Sequence, residues 1–234
     1  EQDKEILKTL RLKSPKMMVA ADNFRNIQAI VRRIGFGRPN AILFDLGLST
    51  WHLKESGRGF SFQKPEEPLK MQFREEKWLK TAAEIVNTCA EDELAAILKN
   101  FGEVRGSRTF AKKICAFRRT KKIISVGDLL STLGIKDKKM LARIFQALRI
   151  AVNEELTALK TALAQSFAIL AKHGRMAVIS YHSLEDRAVK EFFKERILEK
   201  SGKAIIKKPA RPSREEILRN PSARSAKLRV LKKL

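Results

Sequence analysis

The chain has 234 residues, 44% of them apolar, and its 49 Lys and Arg against 26 Asp and Glu give a formal net charge of +23. The apolar share excludes wholesale disorder, and no run reaches the roughly 18 apolar residues of a membrane-spanning helix. So large a positive excess repels itself and favours a polyanionic partner such as RNA, DNA or anionic lipid.

In chain order, the spacing predicts a helix over 4–10 and a short buried strand over 17–21, MMVAA. Phe24, Ile27, Ile30, Val31 and Ile34 step along one helical face, and Gly35 and Gly37 then break the helix. A strand over 41–44 ends on Asp45. Strands alternating with helices imply an α/β protein with a parallel, doubly wound sheet. From Pro65 to about Lys139 no strand pattern is convincing apart from Ile123 and Ile124, while 81–87, 91–100 and 108–118 carry helical spacing. This stretch reads as a helical insertion.

The stripe Ile144, Leu148, Val152, Leu156, Leu159, Leu163, Phe167 and Leu170 predicts one core helix over 141–170. A buried strand over 176–179 runs into Ser180, Tyr181, His182, Ser183, Glu185 and Asp186. Ser183, with Asp186 three residues on, reads as the cap of a helix over 187–199. The tail from Lys203 is strongly basic, and Pro209, Pro212 and Pro221 disfavour a continuous helix. It is expected to be loop that orders on a polyanion. Neither Cys89 nor Cys115 sits in a CxxC pair, so no metal site is expected, and two free, reduced thiols fit a cytoplasmic setting. Ligands of open α/β sheets sit outside the carboxyl ends of the strands, so the corners after 41–44 and 176–179 are the candidate site.

Four segments carry a resemblance: FDLGLSTWHLKESGRGFSF (44–62), FQALRIAVNEEL (145–156), ISYHSLEDRAVKEF (179–192) and NPSARSAKLR (220–229). In this order they resemble the RsmH (MraW) family of S-adenosylmethionine-dependent ribosomal RNA methyltransferases. The resemblance implies a Rossmann-like class I methyltransferase sheet with an inserted helical domain. The first part of the methyltransferase domain would be 1–64 and the insertion, an RNA-substrate domain, 65–140. The second part would be 141–202, with a basic tail over 203–234. The resemblance also implies S-adenosyl-L-methionine as cofactor and the N4 amine of a cytidine as acceptor, in the decoding region of 16S ribosomal RNA on the small ribosomal subunit.

The same resemblance assigns roles. Glu1 would take the place of the acid on the cofactor's ribose hydroxyls, Phe24 that of the aromatic beside adenine, and Asp45 that of the acid near the methionyl part. His52 stands where the family usually has Gln, and would touch the cofactor. At the reacting amine, Asp45 is the expected N–H acceptor, with Ser180, His182 and the backbone around Ser49 holding the base edge. Arg58, Arg149, Arg187, Lys190 and Arg224 are expected to meet RNA phosphates.

Two features depart from the family pattern. Lys70 and Gln72 replace an acid and an arginine of its PLDMRM segment. A Gly-rich loop is expected about 20 residues before the ribose acid. That loop and the first strand are therefore expected to lie outside these residues, and this chain alone to bind cofactor weakly. The composition also allows a non-catalytic RNA-binding or ribosome-assembly factor on the same fold, or a methyltransferase acting on DNA.

Overall fold

The computed structural model describes residues 18–74 and 78–234. Its contacts divide the chain into two units. One holds the stretch ending at Gly47 together with Leu156–Leu234, and the other is Leu48–Glu155. The expected helix over 4–10 lies outside the described residues.

The first unit is built on a sheet of β1 (Ala41–Asp45), β2 (Arg175–Ser180), β3 (Gly202–Ala204) and β4 (Lys227–Lys233), in the order β1-β2-β4-β3. β1 and β2 are parallel and in register from Ala41 opposite Arg175 to Asp45 opposite Ile179. β4 runs antiparallel to both β2 and β3. The sheet is therefore mixed α/β where a wholly parallel one was expected, and the basic tail is not loop. Pro209, Pro212 and Pro221 all precede β4, so its N–H groups are free to pair on both edges.

Helices α1 (Ile27–Arg33), α8 (Glu155–Ile169), α9 (Ser183–Leu198) and α10 (Arg214–Arg219) accompany the sheet. The core joins Ile42, Phe44, Met176, Val178 and Leu231 from one face of the sheet to Leu159, Leu163 and Phe167 of α8 and to Ala188, Val189 and Phe193 of α9. Residues 18–21 form no strand, and Met18 is 63% exposed. A strand exists through its hydrogen-bonded partner. Among the described residues β1 pairs with β2 alone.

The second unit is helical: α2 (Thr50–Lys54), α3 (Ala82–Thr88), α4 (Glu91–Gly102), α5 (Ser107–Phe117), α6 (Val126–Leu133) and α7 (Lys138–Asn153). It is wider than the expected 65–140. Phe60 before that range, and Ile144, Phe145, Leu148 and Val152 after it, belong to its core. Reciprocal caps start α3 and α6. Thr81 and Glu84 exchange hydrogen bonds before α3, and Ser125 and Asp128 do so before α6. The Lys121 ammonium, followed by backbone and hydroxyl donors, holds the Asp128 carboxyl well below the usual range despite some desolvation. α4 packs on α7 at close range, since a Cβ at Gly102 would lie 2.5 Å from the Arg143 carbonyl oxygen.

The single helix expected over 141–170 is two. Glu154 turns left-handed with φ 50°, ending α7 and starting α8. The apolar stripe splits with it: Ile144, Leu148 and Val152 fill the helical core, and Leu159, Leu163, Phe167 and Leu170 fill the other. Cys89 and Cys115 are buried and unbridged. Among the described residues no helix is long and apolar enough to cross a membrane.

Candidate active site at the strand ends

β1 and β2 end side by side, so the residues that follow them share one end of the sheet. The Leu46 N–H donates to the Ile179 carbonyl at 3.0 Å and extends the ladder one step past Asp45. Asp45 itself faces solvent. The Tyr181 hydroxyl donates to its Oδ1 at 2.9 Å. The other carboxylate oxygen has no protein partner among the described residues. Gly47 follows with φ 96°, and a Cβ there would sit 3.5 Å from the Tyr181 ring. Only glycine takes that left-handed conformation without strain beside an aromatic face.

Tyr181 stood in the expected polar corner but was given no role there. Burial, then its bond to Asp45 and the charges of Asp45 and Glu185, pushes its hydroxyl up to about 12. The phenol therefore stays protonated at neutral pH and remains a donor. Its sequence signal was slight: it is the chain's single tyrosine and sits inside the polar cluster after β2.

The corner is held from below by Glu185, which is 3% exposed. Its Oε2 accepts from the Tyr181 N–H at 2.9 Å and from the His182 N–H at 3.3 Å. His182 is the cap of α9: its Nδ1 accepts from the Glu185 N–H at 3.4 Å, and its Nε2 meets Glu185 Oε1 at 3.2 Å. Accepting at Nδ1 assigns the Nε2–H tautomer.

The expected cap of Ser183 with Asp186 is thus corrected by one residue to His182 with Glu185. Asp186 instead binds the tail, with Arg229 Nε at 2.7 Å and Lys227 Nζ at 3.1 Å. Ser180, expected at the base edge, is 2% exposed and donates to the Lys227 carbonyl at 3.4 Å. The strand's alternation turns it to the packed face with Val178, away from Asp45.

The other expected residues fall as follows. Glu1 lies outside the described residues. Phe24 stacks edge-on against Phe44 at 6.0 Å, beside the sheet core. His52, in the helical unit, is 4% exposed and ringed by Trp51, Phe60 and Phe73 at 5.1 to 5.4 Å. Its Nδ1 accepts from the Ser49 N–H at 3.2 Å, which caps α2. Arg58 donates to the Phe73 carbonyl at 2.7 Å and lies over the Trp51 ring. Arg149 holds Glu155 at 2.8 and 3.0 Å, a two-point pair where a phosphate contact was expected. Arg187, Lys190 and Arg224 face solvent. Gln72 is buried and donates to the Leu79 carbonyl at 2.7 Å, so its polar end is satisfied without the family's ion pair.

The chain matches the MraW methylase family over residues 1–234. It is 45% identical to Ribosomal RNA small subunit methyltransferase H of Dictyoglomus thermophilum, over 98% of this chain and 79% of that protein. It is 44% identical to the protein of the same name from Coprothermobacter proteolyticus, over 90% and 72% of the two chains. The one from Phocaeicola vulgatus is 38% identical, over 100% and 81%. With a mixed α/β sheet, a helical insertion and a polar corner at adjacent parallel strand ends, the chain belongs to the MraW methylase family.

Proposed function

We propose that the chain transfers a methyl group from S-adenosylmethionine to the N4 amine of a cytidine in the decoding region of 16S ribosomal RNA. The names of the relatives, all small-subunit ribosomal RNA methyltransferases, support the substrate class. The observation that carries the chemistry is the Tyr181 to Asp45 hydrogen bond at the ends of two parallel strands. The residues present suit such a donor. An exposed carboxylate can receive an ammonium or hydroxyl group, and Gly47 leaves room that a Cβ would fill. S-adenosylmethionine supplies an activated methyl group on a sulfonium.

The protein's task is then alignment and proton removal. A cytosine amine is a weak nucleophile because its lone pair is delocalised into the ring. Asp45 accepts one of its N–H groups, which raises electron density on nitrogen as the C–N bond forms. With that methyl transferred, the amine's surplus proton would pass to the Asp45 carboxylate and then to water. Tyr181 fixes the rotamer of that carboxylate, and Glu185 fixes the backbone of Tyr181.

Asp45→Ala is expected to lower kcat by about 10²-fold or more, and Tyr181→Phe by about tenfold. The rate should show no alkaline limb from Tyr181 short of its value of about 12. Mass mapping of small-subunit RNA after incubation with S-adenosylmethionine is the test. A methyl group found on DNA, or on no nucleotide, sinks the reading.

A further inference from the structure

The helical unit contains a cleft that the proposed reaction does not use. It is lined by Lys99 and Asn100 of α4 and by Gly106, Ser107 and Arg108 at the start of α5. The helices before and after α5 begin with their first N–H groups provided for. Reciprocal caps serve α3 and α6, and Glu91, Asp92 and Glu93 stand in the first turn of α4. α5 has neither device. Its N-cap is Gly106, which has no side chain to accept from the first turn, and that turn holds no acid. The N–H groups of Ser107, Arg108 and Thr109 therefore have no acceptor among the described residues. Arg108 even places a cation where the helix dipole favours an anion.

A second observation at the same place is independent of the helix end. Ser107 is 8% exposed, yet its hydroxyl has no partner among the described residues. Buried hydroxyls are nearly always hydrogen-bonded. The Oγ atom is not sealed, so it opens on the cleft that Ser107 lines. The side chains of Lys99, Asn100 and Arg108 are also without partners among the described residues. Asp92 lines the far end of the cleft, seven residues before Lys99 on α4 and about 10 Å along the axis, and no ion pair joins the two. Gly106, at φ +72°, has open space where a Cβ would stand, so a ligand can approach the backbone.

We propose that the start of α5 is a binding site for a phosphoryl group. Its oxygens accept from the first-turn N–H groups, the Ser107 hydroxyl and the Asn100 amide, while Lys99 and Arg108 balance its charge. A tetrahedral group suits donors that come from two helices, because its oxygens point to both. The cleft, of about 850 Å³, also has room for a nucleoside attached to the phosphate. Either a free nucleotide or one phosphodiester of a chain presents this chemistry. The site lies wholly within the helical unit and does not depend on the methyl-transfer reading.

Amide resonances of the isotope-labelled chain, followed at constant ionic strength, test the site with inorganic phosphate, cytidine monophosphate and the dinucleotide CpC without a terminal phosphate. The Ser107, Arg108 and Thr109 signals are expected to shift and saturate with at least one of the three, and not with cytidine. Saturation by phosphate and cytidine monophosphate alone marks a monoester ligand, and saturation by CpC a backbone phosphodiester. Lys99→Gln combined with Arg108→Gln is expected to raise Kd about tenfold, and Ser107→Ala to raise it several-fold. Arg108→Glu suits the helix dipole, so the fold is kept, and it is expected to abolish the shifts. No saturating shift at these amides with any probe overturns the proposal. So does binding that is as tight in Arg108→Glu as in the parent chain. Phosphate binding here in a chain that transfers no methyl group would leave this site standing and remove the methyltransferase reading.

Discussion

Asn153 shows how one polar side chain can organise a long loop. Its Nδ2 donates to the Met71 carbonyl at 2.8 Å, and its Oδ1 accepts from the Phe73 N–H at 2.9 Å. These bonds hold Met71, fully buried at φ 58°, in a conformation that a non-glycine residue reaches only under constraint. Asn153→Ala is expected to cost about 1–3 kcal/mol in urea unfolding, because the loop groups lose their buried partners. Asp186 offers a test by pH. Burial opposes its ionisation, but the bonds from Arg229 and Lys227 outweigh it and hold the carboxyl below its ordinary value. An unfolded Asp titrates near about 3.9. The network's stabilisation is thus complete above that pH and is lost as pH falls through the lower folded value. Stability plotted against pH should drop in this acid range, and Asp186→Asn should flatten that drop. An unaltered curve would contradict the network.

Among elements, β4 and the helix pair α7 and α8 depart furthest from the pattern of the sequence. The 3.6-residue stripe through 144–170 is continuous because both helices need one apolar face. It carries no mark of the single left-handed residue, Glu154, that breaks the chain in two. β4 hid behind its lysines. Lys233 reaches the end of α8, where its ammonium donates to the carbonyls of Phe167 at 2.7 Å, Ala168 at 3.2 Å and Leu170 at 2.9 Å. A cation at a helix carboxyl end satisfies unpaired carbonyls and complements the dipole. Its pKa is lowered, by burial first and by Arg38 second. Lys233→Met keeps the stem and removes the charge, and is expected to cost about 1–2 kcal/mol, read as a lower thermal midpoint. What read as a polyanion-binding tail is in part internal capping. By contrast α3, α4 and α5 fell within two residues of their predicted spans, since local amphipathic spacing and caps suffice for them.

For the whole molecule, the two apolar cores predict two cooperative regions. Leu148 is fully buried in the helical core and Met176 in the sheet core. Leu148→Ala is expected to cost about 2–5 kcal/mol and to raise amide exchange in α3 to α7 ahead of β1, β2 and β4. Met176→Ala should reverse the order. Uniform acceleration across both units in either variant would show a single cooperative body.

By itself, the sequence determined the α/β class and the family, and it gathered polar residues after two apolar runs. These follow from short-range periodicity and from motifs that read the same in any context. Tertiary structure alone decided which of those polar residues face the crevice. Strand alternation turned Ser180 inward, His182 and Glu185 closed on each other as a cap, and Tyr181 swung to Asp45. It also decided that the tail is a central strand. Side-chain direction and long-range pairing depend on neighbours far away in the chain, and no local pattern encodes them.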